Sequence, residues 1–394
     1  MEYDSSVDVI IVGAGPAGGT AAYYLGEAGQ HVLVLEKETL PRYKTCGGGL
    51  SAHMLAKWFP FSFDPVIETQ PETITYAFSK RVVTIPIADR SLRLVRRDKF
   101  DAYLLSQSRA EVRTGMTVAG VEQTPESVKV KTSDGSVFQA RYLIGADGAN
   151  SVVARAVGLR RSRALCPALE AEVYVAPDIL ERFAKGPWFI GGEVNPGYLW
   201  IFPKSDHLSV GIAALHPKAG ELQAKLKKVM AGYGISLNGV ALRGHPIPFY
   251  TGPQPLTRAR TLLVGDAAGL VDPISGEGIR LAIKSGYLAA QAILADQPEQ
   301  YRRQVLWHIE LSHMLGSGLG WLFYHTQPLG LALLAPNPEV TASCLDMLAD
   351  RAGYPEVAIR VFGSLPVFWL TSGVKAALAL LGRPNRRTER QPSE

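Results

Sequence analysis

Hydrophobic positions follow two rhythms along this chain, and the change from one to the other marks out its elements. Val7 to Val12 is a continuous apolar run, broken at once by glycines. A short run of that kind bounded by turn residues reads as a strand buried on both faces. Ala17 to Gly26 follows with helical character, and His31 to Leu35 is a second apolar run. Strand, helix and strand with short connections open a doubly wound sheet. Further on, Ser127 to Thr132 alternates, Asp134-Gly135 supplies a hairpin turn, and Val137 to Ile144 returns beside it. Thr261 to Val264 is another buried strand, and Gly278 to Ala295 another helix.

The second rhythm lies between these pieces. Ile67 to Leu94 and Ala171 to Ala214 alternate β-branched and aromatic residues, the pattern of an antiparallel sheet. After Gln297 the chain turns helical and apolar. The expected architecture is α/β: a Rossmann-like dinucleotide-binding domain interleaved with an antiparallel-sheet substrate domain, plus a helical C-terminal region. Residues 1–66, 95–165 and 251–296 are assigned to the first. Residues 67–94 and 166–250 are assigned to the second, 297–382 to the helical region, and 383–394 to a basic polar tail.

Composition narrows the function classes. At 394 residues the chain has room for about two domains. Its net charge of +5 is modest and forms no stripe, so nucleic acid is not expected as a partner. Cys46, Cys166 and Cys344 lie far apart in sequence, which gives neither a disulfide framework nor a metal site. A cytoplasmic compartment without signal peptide is expected. From Leu311 to Pro338, and again from Val361 to Val374, there is no Asp, Glu, Lys or Arg. The first stretch is broken by His313, His325, Gln327, Pro328 and glycines, and the second falls short of the ~20 apolar residues of a spanning helix. Buried or interfacial helices are expected, with peripheral membrane contact through this region left open. Arg383, Arg386, Arg387 and Arg390 fit either a solvated tail or contact with anionic lipid.

The chemistry begins at Gly13-Ala14-Gly15-Pro16-Ala17-Gly18, between the first strand and its helix. Gly13 is expected to make the tight turn, Gly15 to admit a pyrophosphate and Gly18 to permit close helix–sheet packing. The helix N-terminus then offers free N–H groups to the phosphates. Glu36 ends the second strand at the spacing of a residue that hydrogen-bonds a ribose diol. A carboxylate there repels a 2′-phosphate, which favours FAD or NAD over NADP at this site.

Two later motifs separate FAD from NAD. Tyr142-Leu-Ile-Gly-Ala-Asp147-Gly148 and Leu262-Leu-Val-Gly-Asp266-Ala-Ala-Gly269 both end strands in turns, the second leading into a helix at Gly278. With them the chain resembles the flavoprotein superfamily of aromatic hydroxylases and related FAD oxidoreductases. The resemblance implies that Asp266 holds the ribityl chain and that Gly278 and Ile279 contact the ring. It also places Arg97 and Val118 against the cofactor, although a surface salt bridge is an alternative for the arginine. A helix N-terminus near the flavin suits the negative charge of its reduced form.

The loop Pro41-Arg-Tyr-Lys-Thr-Cys46-Gly47-Gly48-Gly49-Leu50 follows the nucleotide unit. Three glycines bring bare backbone and one sulfur close to something flat. The alternatives are a sharp turn with an inert thiol and a cofactor-facing segment, and a reactive thiol needs an electropositive setting. This loop resembles the Pro-Arg-x-Lys-x-Cys-Gly-Gly motif of the geranylgeranyl reductase family. Gly197-Tyr198-Leu199-Trp200-Ile201-Phe202-Pro203-Lys204, with Val210-Gly211-Ile212 after it, is similar to that family's Tyr-x-Trp-x-Phe-Pro-Lys motif. The resemblance runs from Val7 to about Ala295 and thins beyond.

It implies an FAD-dependent oxidoreductase that saturates C=C bonds of a geranylgeranyl or similar prenyl chain. Cys46, Tyr198 and Trp200 are then candidate catalytic residues, and Cys46, Gly47 and Gly49 also face the cofactor. Tyr198, Trp200 and Phe202 alternate, so they share one face of a strand if the segment is extended. An aromatic, water-excluding cavity suits reduction of an isolated alkene. The reductant is NAD(P)H or a reduced ferredoxin, because Gly316-Ser-Gly318-Leu-Gly320 has no strand before it and makes no second dinucleotide unit. The alternative is an FAD-dependent monooxygenase or halogenase acting on a hydrophobic substrate. An iron–sulfur flavoprotein would need four clustered cysteines.

Overall fold

The parallel strands expected from the apolar runs form the centre of an eight-stranded sheet. A computed structural model describes residues 7–78, 81–87, 89–159 and 164–381, and the basic tail at 383–394 lies outside them. Across the sheet the order is Thr257–Arg258, Thr261–Leu263, Val137–Gly145, Val7–Val12, Val32–Leu35 and Glu111–Arg113. From Thr261–Leu263 to Glu111–Arg113 every pair is parallel. The strands Val118–Gln123 and Val128–Thr132 hang from the first half of Val137–Gly145 as an antiparallel extension. Gly135 makes the expected hairpin turn with a φ of +89°.

The helices Pro16–Glu27 and Ile279–Leu294 lie side by side against this sheet. They touch backbone to backbone, since a Cβ on Gly286 would stand 2.4 Å from the Ala17 carbonyl oxygen. The core between helices and sheet is built from Val9 to Val12, Val32 to Leu35, Leu143, Ile144, Leu262 and Leu281.

The second domain is a seven-stranded sheet in the order Arg243–Phe249, Ala164–Val173, Leu208–Ala214, Gly197–Pro203, Trp188–Gly191, Thr73–Phe78 and Arg81–Pro86. Its pairs are antiparallel except for Trp188–Gly191 with Thr73–Phe78. Strand alternation divides the side chains between two faces. Leu199, Ile201, Val210 and Ile212 point to the back, where they pack with Leu222, Leu226 and Met230 of the helix Glu221–Gly232. Tyr198, Trp200 and Phe202 point to the front, the single face expected of them.

The segment Ile67 to Leu94 divides between two sheets. Only Thr73–Phe78 and Arg81–Pro86 join the large one, while Leu92–Val95 lies between Gly49–Ser51 and Ile67–Thr69 in a three-stranded antiparallel sheet. Alternation reports a half-buried strand and not the edge it joins. The small sheet anchors the end of the cysteine loop between the two domains.

Beyond residue 297 the chain is helical, as expected: Pro298–Val305, Leu311–His325, Gln327–Leu334, Pro338–Leu348 and Tyr354–Leu381, with one wider turn over Leu306–Glu310. Among the described residues no helix is long and apolar enough to cross a membrane. Gly316 and Gly320 lie inside a helix, against the Tyr354 ring and Ile274 respectively, so the glycines there serve packing. A charge cluster centred on the buried Asp350 ties this region to the first domain. Asp350 pairs with Lys57 at 2.6 Å, Lys284 at 2.9 Å and Arg280 at 3.4 Å.

Candidate functional site

Each glycine of the first loop has a separate geometric reason. Gly13 has a φ of +103°, and a Cβ there would lie 2.4 Å from the Ala146 carbonyl oxygen. On Gly18 a Cβ would meet the Gly13 carbonyl oxygen at 2.0 Å, which is the close helix–strand approach. Gly15 is different: its Cβ would meet only an Arg42 nitrogen at 3.9 Å, so the space before it is open to the cavity. Pro16 starts the helix where no N–H bond is lost, and the first turn carries no side-chain cap and no acidic residue. Its N–H groups are left to a ligand. Gly13, Gly15 and Ala17 line the cavity, while Ala14 and Gly18 stand behind it.

Glu36 is buried at the end of the second strand. Its Oε2 accepts the Ala14 N–H at 2.8 Å and its Oε1 accepts the Glu38 N–H at 3.0 Å, so it braces the glycine loop as well as facing the cavity. An ionic chain runs on from it. Arg42 lies 3.6 Å from Glu36 and 3.1 Å from Asp101, and Asp101 holds Arg97 through two bonds of 2.8 and 2.9 Å. Arg97 is thus in a buried pair on the cavity wall and not in a surface salt bridge. Burial opposes its charge, but the Asp101 carboxylate outweighs this and holds its pKa above the ordinary value.

Asp147, Asp266, Gly278, Ile279 and Val118 line the same cavity. One oxygen of Asp147 caps the short helix Val152–Ala156, accepting the N–H groups of Val152 and Val153 at 2.6 and 3.1 Å. Its Oδ1 is buried with no hydrogen-bond partner. Gly278 starts the helix Ile279–Leu294, whose first turn contains no acidic residue, although Glu277 just before it accepts the Arg280 N–H at 2.6 Å. The uncapped helix end at Pro16, the opening at Gly15 and an orphaned carboxylate oxygen fit a long ligand with phosphates and polar hydroxyls, as FAD is.

The cysteine loop crosses the middle of the cavity, with Lys44, Cys46, Gly47, Gly48 and Gly49 on its wall. The flat object behind the glycines is Phe202: a Cβ on Gly47 would lie 2.8 Å from its ring, and one on Gly49 would lie 3.5 Å away. Gly48 has a φ of +71° and sits against the Val95 carbonyl. Lys204 clamps the loop from below, donating to the Gly47 oxygen at 2.7 Å and the Val95 oxygen at 2.9 Å. Glu170 holds it from the side. This buried carboxylate accepts the Cys46 N–H at 2.5 Å, the Tyr43 hydroxyl at 3.3 Å and the Ser209 hydroxyl at 2.6 Å. Burial pushes the pKa of Glu170 up.

Positive charge surrounds the sulfur. Burial, and then the Arg97 charge, lower the Lys44 ammonium to about 8. Burial likewise lowers Lys204 to about 8. His245 across the cavity is pushed down to about 3, by burial and then by Lys44 and Arg97, so it is neutral.

The front face of the seven-stranded sheet forms the far wall. Trp200 lies flat over Gly211, where a Cβ would stand 2.0 Å from the indole. That explains why a valine-glycine pair follows the aromatic strand. Phe189 joins the cluster at 5.9 Å from Tyr198 and 5.3 Å from Phe202, ring centre to ring centre. The Tyr198 hydroxyl donates to the Ser275 carbonyl at 2.5 Å, and Tyr324 donates to that of Ile274 at 2.6 Å. Asp272 fixes the same turn, accepting the Ser275 N–H at 2.8 Å and the Tyr354 hydroxyl at 2.8 and 2.9 Å. The helices after residue 311 close the opposite side with Leu319, Phe323, Leu345, Leu348 and Val361. Cys344 also faces the chamber, where burial raises its thiol to about 11. Cradle, loop and chamber make one continuous cavity of about 1370 Å³, larger than the ~300–1,000 Å³ typical of a single small-ligand site.

Comparison with known proteins fits this geometry. Residues 1–57 match the model of the Thi4 family, and residues 89–191 match that of the FAD binding domain. The chloroplastic geranylgeranyl diphosphate reductase of Oryza sativa subsp. japonica is 32% identical over 73% of this chain and 66% of its own length. A geranylgeranyl bacteriochlorophyll reductase-like protein of Thermoplasma acidophilum superposes with a TM-score of 0.75 at 25% identity, covering 91% of this chain and 99% of that one. The chain belongs to the geranylgeranyl reductase family. It is an FAD-dependent oxidoreductase. A menaquinone reductase of Mycobacterium tuberculosis is 28% identical over 93% of both chains.

The residues expected from the family motifs come together around the cavity, but four that shape the site carried no expected role. Lys44 and Lys204 stand inside the quoted motifs, and only their enclosure shows what they hold. Glu170 and Asp272 make contacts across long stretches of sequence, which no local pattern signals.

Proposed function

We propose that this geranylgeranyl reductase family member saturates isolated double bonds of a polyprenyl chain. The observation that carries the reading is the single cavity in which an FAD cradle opens, past Cys46, into an apolar chamber walled by aromatic rings. When bound, FAD supplies a hydride equivalent that adds to one alkene carbon. The chain's own residues do the rest. Positive charge develops on this hydride-accepting carbon as the second carbon is protonated, and it has no neighbouring heteroatom to share it. The faces of Trp200 and Tyr198 carry negative quadrupole density suited to that charge. Tyr198 is held in place through Ser275, and Trp200 by the sheet beneath it. The Cys46 Sγ–H, at the junction of cradle and chamber, gives its proton to the second carbon, and the sulfur regains one from solvent. Lys44, Arg97 and Lys204 compensate the charge left on the sulfur between these transfers.

The relatives support the substrate class. One is named for geranylgeranyl diphosphate and another for menaquinone, and a polyprenyl chain is what those two molecules share. Electrons come from NAD(P)H or a reduced ferredoxin.

The test is an anaerobic product assay. Protein reduced chemically, then mixed with geranylgeranyl diphosphate or menaquinone, should give products heavier by pairs of hydrogens in mass spectrometry. If reduced protein instead consumes oxygen and yields hydroxylated or halogenated product, the monooxygenase or halogenase reading takes its place. Cys46→Ser should keep its FAD spectrum and lose most turnover; full turnover removes the thiol from the mechanism.

A further inference from the structure

The helix Leu311–His325 leaves Leu311, Met314, Leu315, Trp321 and Leu322 exposed. Steps of three and four keep them on one side of the helix. On Tyr354–Leu381, Ile359 at 74%, Phe362 at 55%, Val367 at 65% and Leu370 at 70% are exposed, and at about 100° per residue they fall within roughly 140° of the helix circumference. Neither stripe carries a charged residue. The two helices are in contact, with Gly316 against the Tyr354 ring and the Tyr354 N–H donating to the Ser312 hydroxyl at 2.9 Å. Leu322 and Phe362 are exposed and also line the cavity, so the stripes flank its mouth. An apolar surface of this extent marks a site of association.

We propose that this face seats the protein on an anionic lipid bilayer, with the mouth of the chamber turned toward the acyl layer. Three observations select lipid over a protein partner. A second copy or another protein seated here would cap the mouth, whereas a bilayer brings apolar molecules to it. Trp307, Trp321 and Trp369 are exposed near the stripes, and indoles prefer the boundary between acyl chains and headgroups. The sequence after the second helix carries Arg383, Arg386, Arg387 and Arg390 against Glu389 and Glu394, a balance that attracts anionic headgroups. Because no described helix is long and apolar enough to cross, the face lies on the bilayer and does not span it. The seating does not depend on which reaction the site performs.

The experiment is vesicle flotation of the FAD-loaded full-length protein, read by protein content and not by turnover. Vesicles of phosphatidylcholine mixed with phosphatidylglycerol should carry the protein upward, and pure phosphatidylcholine less of it. The variant Leu315→Asp/Ile359→Asp/Leu370→Asp, whose positions are outside the cavity wall, should keep its FAD spectrum and lose binding by about tenfold or more. If it loses FAD, Leu370→Asp alone is read in its place. Replacing the four tail arginines with glutamine should bring binding on the mixed vesicles down to that on phosphatidylcholine. Wild-type protein that stays at the bottom with both vesicles overturns the proposal, as does an aspartate variant that floats like wild type. So does a wild-type dimer that ignores vesicles and that the aspartate variant breaks into monomers, since the face then belongs to a second copy. Arginine-free protein that keeps full preference for the mixed vesicles overturns the anionic part.

Discussion

Trp200 rests on Gly211 with no room for a methyl group, so the pairing is testable at a single atom. A Cβ at position 211 would stand 2.0 Å from the indole, and ring or strand must move. Gly211→Ala should cost about 1–3 kcal/mol of stability, read as a lower urea midpoint. The displaced ring should lower kcat/KM for a prenyl substrate more than it weakens FAD binding. Lys44 makes a second prediction through its charge. Its ammonium titrates near 8 in the ligand-free protein, and a bound anionic cofactor raises that value. FAD affinity should therefore be full below pH 8 and decline above it, until the higher value of the bound form is passed. Fluorescence titration with FAD across pH checks this, and Lys44→Met should bind more weakly with that dependence removed. Lys44 and Lys204 stood in recognisable motifs, yet their roles were not legible. A lysine's function here follows from enclosure, and sequence spacing does not report enclosure.

Among the elements, the strand Gly197–Pro203 does two jobs. Its front face walls the chamber, and Phe202 with the following Lys204 latches the cysteine loop. The alternation of Tyr198, Trp200 and Phe202 was readable because a strand's period is two. The Gly13 to Gly18 turn was readable because each glycine answers a backbone constraint. Glu170 was not readable: it meets Cys46 from 124 positions away, on a strand that reads as ordinary half-buried sheet. Glu170→Leu should leave the Cys46 N–H and the Ser209 hydroxyl without acceptors. The expected cost is about 1–3 kcal/mol in chemical denaturation, with turnover falling more than FAD content. Glu170→Gln, which keeps an acceptor, should recover most of both. The split of Ile67 to Leu94 between two sheets has a similar origin. Alternation shows that a strand is half covered, and the choice of neighbour is made by distant segments.

For the molecule as a whole, Asp350 is an ionic tie between the helical region and the FAD-binding domain. Burial works against its charge, but Lys284 and Lys57 outweigh it and hold its carboxyl below the usual range. A depressed carboxylate stabilises fully above its unfolded value, about 3.9, and loses that contribution as pH falls toward its folded value. Asp350→Asn should cost about 3–5 kcal/mol at neutral pH, because the buried Arg280 and the largely buried Lys284 lose a carboxylate they share. Urea unfolding at neutral pH and below pH 4 should show the difference between wild type and variant shrinking in acid. The helical region was legible only as apolar and helical. Residues that wall the chamber and residues that face outward there have the same composition, and burial alone tells them apart.

The chamber has walls of two mechanical kinds, and that bears on how such a protein diversifies. On the sheet side every ring is tied to a register, so a one-residue slip would turn Tyr198, Trp200 and Phe202 into the opposite core together. On the helical side Leu319, Phe323, Leu345 and Leu348 are separate apolar positions, each replaceable without moving the next. New substrate lengths or head groups therefore enter by point changes in the helices, while the sheet wall is inherited as a block.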